Sequence, residues 1–411
     1  MLFFSYTFVI FVIAFFCLYW SVPNVTVRRW VLLLGCALFL IYYSGPAGVL
    51  PIVLLAVGTY FAGLSRRRWL CVIWIAVCTA SLLFYKYTNF LFQGLVAGLS
   101  PDMAQLGRQF TKTLLPAAPP LGISFFAFEF IHYLTEIHRG RRPICSPLRF
   151  GLFSFFWPTV VAGPIKRYRQ FTVSAGSGMR QVSLDDVREG MVRIAVGVVK
   201  KFTADSLTAW IGFIDHDYAV LPLERRWLIF GAIGMRILLD FSGYSDMAIG
   251  FARMMGIRIP ENFNWPYLAV SINDFWHRWH ISLSTWIRDY IYIPLGGSRH
   301  GLFRKGLNAL FAMALCGLWH GASWNFVLWG LYHGLGLVLS NNLGRVIRRW
   351  GGQLHQPLQA LPGGNAVVVI SRGCFLGLCW CSTVFFVFVG WLLFFYPVAK
   401  AWEMTKLLFV R

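Results

Sequence analysis

His320 is the first candidate for chemistry, one of two histidines, with His333, in a long apolar stretch: Gly306 to Leu343 contains no Asp, Glu, Lys or Arg. An imidazole titrates near neutrality and is costly to leave unpaired at bilayer depth. Two readings stay open, a general base and a histidine hydrogen-bonded to a neighbouring helix. Gly317 and Gly321 flank it, which under the first reading leaves room for a ligand at the ring. A second cluster runs Phe275-Trp-His-Arg-Trp-His280. His277 and His280, three apart, would share one face of a continuous helix. No third ligand follows, and Arg278 would repel a cation, so positioning or oxyanion stabilisation fits better than a metal. Glu129, His132 and Glu136 line one face of a further predicted helix, and interhelical hydrogen bonding is the favoured reading there. Arg236 and Asp240 are spaced for an intrahelical ion pair.

Those side chains need a scaffold, and composition names its solvent. Of 411 residues, 57% are hydrophobic, 18% aromatic and only 13% charged. Ordinary soluble domains carry about 25% charged residues. The chain therefore reads as an all-α polytopic membrane protein, 1–411 as a single integral domain of roughly ten spans plus re-entrant and interfacial helices. The net charge of +21 sits in short basic clusters between apolar runs, at Arg28-Arg29, Arg66 to Arg68 and Arg139 to Arg142. That is the positive-inside pattern, and it argues against a nucleic-acid partner. The lipid bilayer is the expected environment.

Along the chain, Met1 to Val27 is charge-free and lacks the basic start and cleavage site of a secretory signal, so a retained first span is expected. Ser44-Gly-Pro46 should split Trp30 to Leu64 into two spans, 30–43 and 48–64. Further spans are expected at 69–85 and about 119–137. Phe150 to Ile165, with Pro158 and Gly163-Pro164, reads as a broken segment, and Leu184 to Phe202 as an amphipathic interfacial helix. Trp227 to Met255 and Gly373 to Ala399 complete the set. Eight of nine cysteines lie in apolar runs, where they behave as small hydrophobes. No phosphate-binding loop, nucleophile elbow or dinucleotide fingerprint is present.

Several blocks in order resemble the membrane-bound O-acyltransferase family: Phe241 to Gly250, Pro260-Glu-Asn-Phe-Asn264, Phe275 to Tyr292 and Gly317-Leu-Trp-His-Gly321. Pro119 to Phe126 and Gly163 to Arg169 also match, so the resemblance threads about Leu115 to Leu339. Ile293 to Gly301 and Trp319-His-Gly-Ala-Ser-Trp-Asn325 are similar to the branch that O-acetylates polysaccharides such as alginate, cellulose or peptidoglycan. His277 departs from that pattern, and the D-alanyl branch is the nearest alternative.

The resemblance implies a ring of about ten tilted helices around a central funnel. It also implies His320 as the catalytic histidine with His280 as its second. Arg278, His277, Trp319, Asn325 and Asp240 are then expected at the substrate. No cofactor is expected to be bound; an acyl thioester, acetyl-CoA or an acyl carrier protein, is the implied cytoplasmic donor. An extracytoplasmic partner would receive the acyl group on a Ser or Tyr and pass it to the polysaccharide. The implied location is the bacterial cytoplasmic (inner) membrane. Outside this class, a polytopic transporter or flippase also uses broken helices and midplane polar residues.

Overall fold

The computed structural model describes residues 2–92, 96, 100–114, 119–359 and 364–410. Leu115 to Ala118, where the resemblance was expected to begin, lie outside the described residues. The helices are α1 (Tyr6–Ser21), α2 (Val25–Ser65), α3 (Arg68–Leu82, continued by π and short α turns), α4 (Pro101–Leu114), α5 (Ile123–His138), α6 (Pro147–Phe155), α7 (Tyr168–Gly178), α8 (Leu184–Ile214), α9 (Leu223–Met254), α10 (Ile272–Arg278), α11 (Ile281–Ile287), α12 (Gly301–His320), α13 (Trp324–Gln359), α14 (Gly364–Phe395) and α15 (Val398–Leu407). No strand occurs among the described residues. Every backbone donor that sits in lipid must bond within its own segment, which is why the apolar runs become helices.

Among the described residues, four segments are long and apolar enough to cross a membrane: Val25–Ser65, Arg68–Phe90, Leu223–Met254 and Arg372–Phe395. Other apolar runs fold into shorter or broken pieces. α5 has only 16 residues, α1 likewise, and α10 and α11 have 7 each. The Ser44-Gly-Pro46 signal does interrupt the chain. Gly45 adopts φ 67°, ψ 162° inside the 41 residues of α2. At 1.5 Å per residue a straight helix of that length would be about 60 Å, twice a ~30 Å hydrocarbon core. The break at Gly45 relieves that mismatch.

The chain folds as two compact units, residues 1–197 with 244–260, and residues 198–243 with 261–411. In the first, Trp157 sits at the centre of an aromatic core. The rings of Phe3, Phe8, Phe11, Phe15, Phe39 and Phe251 lie 5.0–6.3 Å from it. Trp157 belongs to the irregular stretch after α6, so the broken segment expected from Pro158 and Gly163-Pro164 is observed, and it is buried in protein. Such backbone is tolerated at membrane depth only under that cover. In the second unit, α12 and α13 form a tight hairpin. A Cβ on Gly317 would stand 2.0 Å from the Phe326 carbonyl oxygen, and one on Gly330 2.2 Å from that of Met313. Only glycine permits backbones this close.

Candidate active site

The second unit gathers His280, His320 and His333 with a shell of indoles. α12 ends at His320, and Gly321 leaves the helix in extended conformation. The His320 ring is half-buried, with Trp319, Trp329 and Phe394 at 4.9, 5.2 and 5.4 Å. Trp319 stands between the two expected histidines, 6.1 Å from the ring of His280. The expected pair is therefore brought together. The flanking glycines do not serve ligand access. A Cβ at Gly321 would meet the Phe326 ring at 2.0 Å, so the space beside His320 is already filled by α13.

His280 is not on a continuous helix with His277. α10 ends at Arg278, and His280 takes φ 42°, ψ 54° before α11 begins. A left-handed non-glycine residue stores strain and persists only where the surroundings hold it. Here the holding element is the Pro260 to Asn264 block. Asn264 N–H donates to Arg278 O and Ile281 N–H to Asn262 O, both at 2.9 Å. The side-chain oxygen of Asn262 accepts from the Ser282 hydroxyl at 2.6 Å and from Ser282 N–H at 3.3 Å. Because a backbone N–H can only donate, the atom facing it is the amide oxygen. The Nδ1 of His280, 3.3 Å from the same oxygen, must then carry the proton. The fully buried Nε2 is left as an acceptor without a hydrogen-bond partner among the described residues. A neutral His280 is thus an acceptor at Nε2, which suits positioning better than oxyanion stabilisation, the two roles the sequence left open for this cluster.

Of Arg278, His277, Asn325 and Asp240, only His277 lines the cavity described below. Arg278 is committed to Asp274 through Nε at 2.7 Å and contacts the Asn264 carbonyl, so it is not an open anion clamp. His277 is exposed, its Nδ1 2.6 Å from Asn273 O. Asn325 donates to the Tyr396 carbonyl at 2.7 Å, an anchor between α13 and the chain after α14. Asp240 is not paired with Arg236. Its carboxylate lies 2.8 Å from Lys201, which also meets Asp205, while Arg236 stacks 4.6 Å over Phe395. Burial works against the Lys201 ammonium, but hydrogen bonds from Asp205 and Asp240 outweigh it and hold its pKa above the ordinary lysine value. Lysine sits one helix away, a tertiary choice that i,i+4 spacing cannot see.

Sequence reasoning passed over three groups. His333 is fully buried, packed against Trp276 and Trp329 at 5.3 and 4.9 Å, with neither ring nitrogen hydrogen-bonded among the described residues. The indole N–H groups of Trp276 and Trp329 are likewise unpartnered there. Trp276 also lines a cavity of about 450 Å³. Exposed His277 and Arg288 mark its mouth, and buried Ala312, Met313 and Cys316 its floor. Cys316 is one helical turn before His320. No acidic residue is among those lining the cavity. No His/Cys/Asp/Glu cluster able to hold a metal occurs among the described residues. Only the apolar run around His333 signalled it in the sequence.

Helices of this apolarity, ending on a histidine that faces a second histidine across a tryptophan, define an integral membrane protein with a buried imidazole site. The chain belongs to the membrane-bound O-acyltransferase family, whose model matches residues 85–371. It is 41% identical over 288 residues to a probable alginate O-acetylase of Azotobacter vinelandii, covering 68% of this chain and 54% of that one. It is 30% identical to the peptidoglycan O-acetyltransferase of Helicobacter pylori, covering 69% and 57%. A Bacillus subtilis teichoic acid D-alanyltransferase is 31% identical, over 66% and 74%. The chain spans about half the length of the O-acetylating relatives it matches.

Proposed function

We propose that this chain is an O-acyltransferase that moves an acetyl group from a cytoplasmic thioester to a cell-envelope or secreted polysaccharide. The observation that carries the reading is a cavity lined by Trp276 whose floor reaches Cys316, one helical turn before His320. In this reading the thioester enters past His277, Arg288 and Lys305, a basic mouth suited to phosphate-bearing carriers such as acetyl-CoA or an acyl carrier protein. His320 removes the proton of the acceptor hydroxyl as its oxygen attacks the thioester carbon; the tetrahedral intermediate then collapses by breaking the C–S bond, and the carrier leaves as a thiol on taking the proton back from the His320 imidazolium. The unpartnered indole N–H of Trp276, a donor only, suits the carbonyl oxygen as negative charge develops on it. His280, an acceptor at Nε2, holds a hydroxyl of the incoming group. The hydroxyl belongs to a Ser or Tyr of an extracytoplasmic partner, which hands the acyl group to the polymer. The proposed setting is a ring of tilted helices around a funnel in the bacterial inner membrane.

Acetyl is favoured over D-alanyl on charge. A D-alanyl ester carries an ammonium at neutral pH, and desolvating it without a carboxylate is expensive. The lining residues supply arginine and lysine and no carboxylate. Mass spectrometry of the modified acceptor decides between them: an acetyl-sized adduct supports the proposal, and an alanyl-sized adduct dependent on His320 retires the acetyl assignment. Acyl transfer by the purified chain in detergent separates an enzyme from a transporter, since vectorial transport has no meaning without a sealed membrane.

A further inference from the structure

Arg28 and Arg29 are neighbours at the start of α2, and their surroundings differ completely. Arg28 is satisfied. Its guanidinium donates to Val22 O at 2.7 and 3.1 Å and to Met179 O at 3.0 Å, and it lies 5.3 Å over the Tyr19 ring. Arg29 is only 9% exposed, and its Nη2 has no hydrogen-bond partner among the described residues. Its electrostatic neighbours make matters worse, because Arg149 and Arg180 stand close enough for their positive charges to act on it. No Asp or Glu lines the small pit that Arg29 and Arg149 share with Leu152, Phe171 and Thr172. A buried guanidinium facing like charges with no acid is costly unless an anion completes it.

We propose that Arg29 and Arg149 bind the phosphate of an anionic membrane lipid. The pit measures about 10 Å³, space for roughly one oxygen-sized sphere. A phosphate therefore rests at its mouth, with one oxygen directed down to Arg29 and another met by the exposed Arg149. Arginine is suited to this by its planar fork of donors. The membrane is the source for a geometric reason. Arg29 opens the longest candidate span, between exposed Val27 and Trp30, and Trp is typical of the headgroup level. Clusters of arginine at the end of a span are where acidic headgroups are held. On the other side of α7, and sharing Phe171, a cavity of about 1000 Å³ adds Arg167, Arg169 and Arg258. The one carboxylate among its lining residues, Asp186, is engaged by Arg253 at 2.9 Å.

The test uses the full chain in nanodiscs, with lipid retention read by native mass spectrometry. Wild type should retain phosphatidylglycerol over phosphatidylcholine by about tenfold, and Arg149→Gln should reduce that preference about fivefold, the worth of ~1 kcal/mol per basic residue at an anionic surface. Arg29→Met should do the same, and Arg68→Gln, an equal loss of charge elsewhere, should leave it unchanged. Arg149 is exposed, so its variant folds even where Arg29→Met does not. Inorganic phosphate is titrated into phosphatidylcholine discs as the second arm. Thermal stabilisation by phosphate in wild type but not in Arg149→Gln, without lipid preference, keeps the phosphate site and assigns it to a soluble source. Equal retention of both lipids together with no phosphate response, or a preference that Arg149→Gln leaves intact, overturns the proposal.

Discussion

Two buried polar clusters, one in each unit, solve the same problem in opposite ways. In the first, Lys166 and Glu129 are 1% and 3% exposed, paired at 2.6 Å. Thr159 accepts from the same ammonium at 2.9 Å, and the rings of Phe153, Phe156 and Phe171 lie within 6 Å of it. His132 nearby accepts from Tyr168 N–H at 3.1 Å. In the second unit His280, His333, Trp276 and Trp329 are equally buried, yet each keeps at least one polar atom unpartnered among the described residues. A closed network fixes a fold; one with open donors and acceptors is expected where a ligand completes it. The contrast separates two kinds of buried polarity that composition treats alike.

The sharpest way to break the comparison is His320→Ala. It should lower acyl transfer by roughly 10²–10⁴-fold, the range of a general base, while expression and membrane insertion stay near wild type. More than about a tenth of wild-type turnover, only ~1.4 kcal/mol of barrier, would remove His320 from that role. In the first unit the loss should fall on stability instead. Glu129→Ala leaves a buried ammonium uncompensated and should cost about 3–5 kcal/mol, read as lower yield and lower Tm. The double variant Glu129→Leu with Lys166→Met should recover most of it, and failure to recover would mean that the pair does more than satisfy itself.

Trp276→Phe keeps an aromatic ring against His333 but removes the N–H and part of the indole's volume. The expected result is a fall in kcat of about 10- to 100-fold, somewhat below the loss of a strong oxyanion donor, with only a small fall in Tm. A matching fall in Tm would make the indole structural. The smallest effect belongs to Lys201→Met. Its pairs with Asp205 and Asp240 are partly exposed, so unfolding experiments should show about 1 kcal/mol or less and acyl transfer should be unaffected. A large loss of activity there would return Asp240 to the site.

Much of this was legible in the chain because lipid enforces local rules. Charge-free runs gave helices, Gly45 and Pro46 gave the break in α2, and Pro158 with Gly163-Pro164 gave the irregular segment around Trp157. His320 could be picked out because a histidine in such a run is rare. What escaped was tertiary. Lys166 reaches Glu129 across 37 positions, and Asp240 prefers Lys201 on another helix to Arg236 on its own. The run from Phe275 to Ser284 reads as one helix, and only the backbone bonds to Asn262 and Asn264 show why it divides at His280. Gly317 and Gly321 looked like clearance for a ligand; they are the seats of α13.

The close approach of α12 and α13 bears on how the chain folds. Two residues, Ala322 and Ser323, with Gly321 at the turn, join the helices, so their contacts form between segments near in sequence. Loop closure that short costs little entropy, and local pairing precedes long-range pairing. Synthesis delivers both helices consecutively, and Gly317 and Gly330 let them dock through backbone alone, without waiting for side chains from elsewhere. His320 sits at the apex of that hairpin. The imidazole is thus set in its final backbone frame early, and the later arrival of α14, bringing Phe394 against His320 and Gly390 against His333, covers residues already in place.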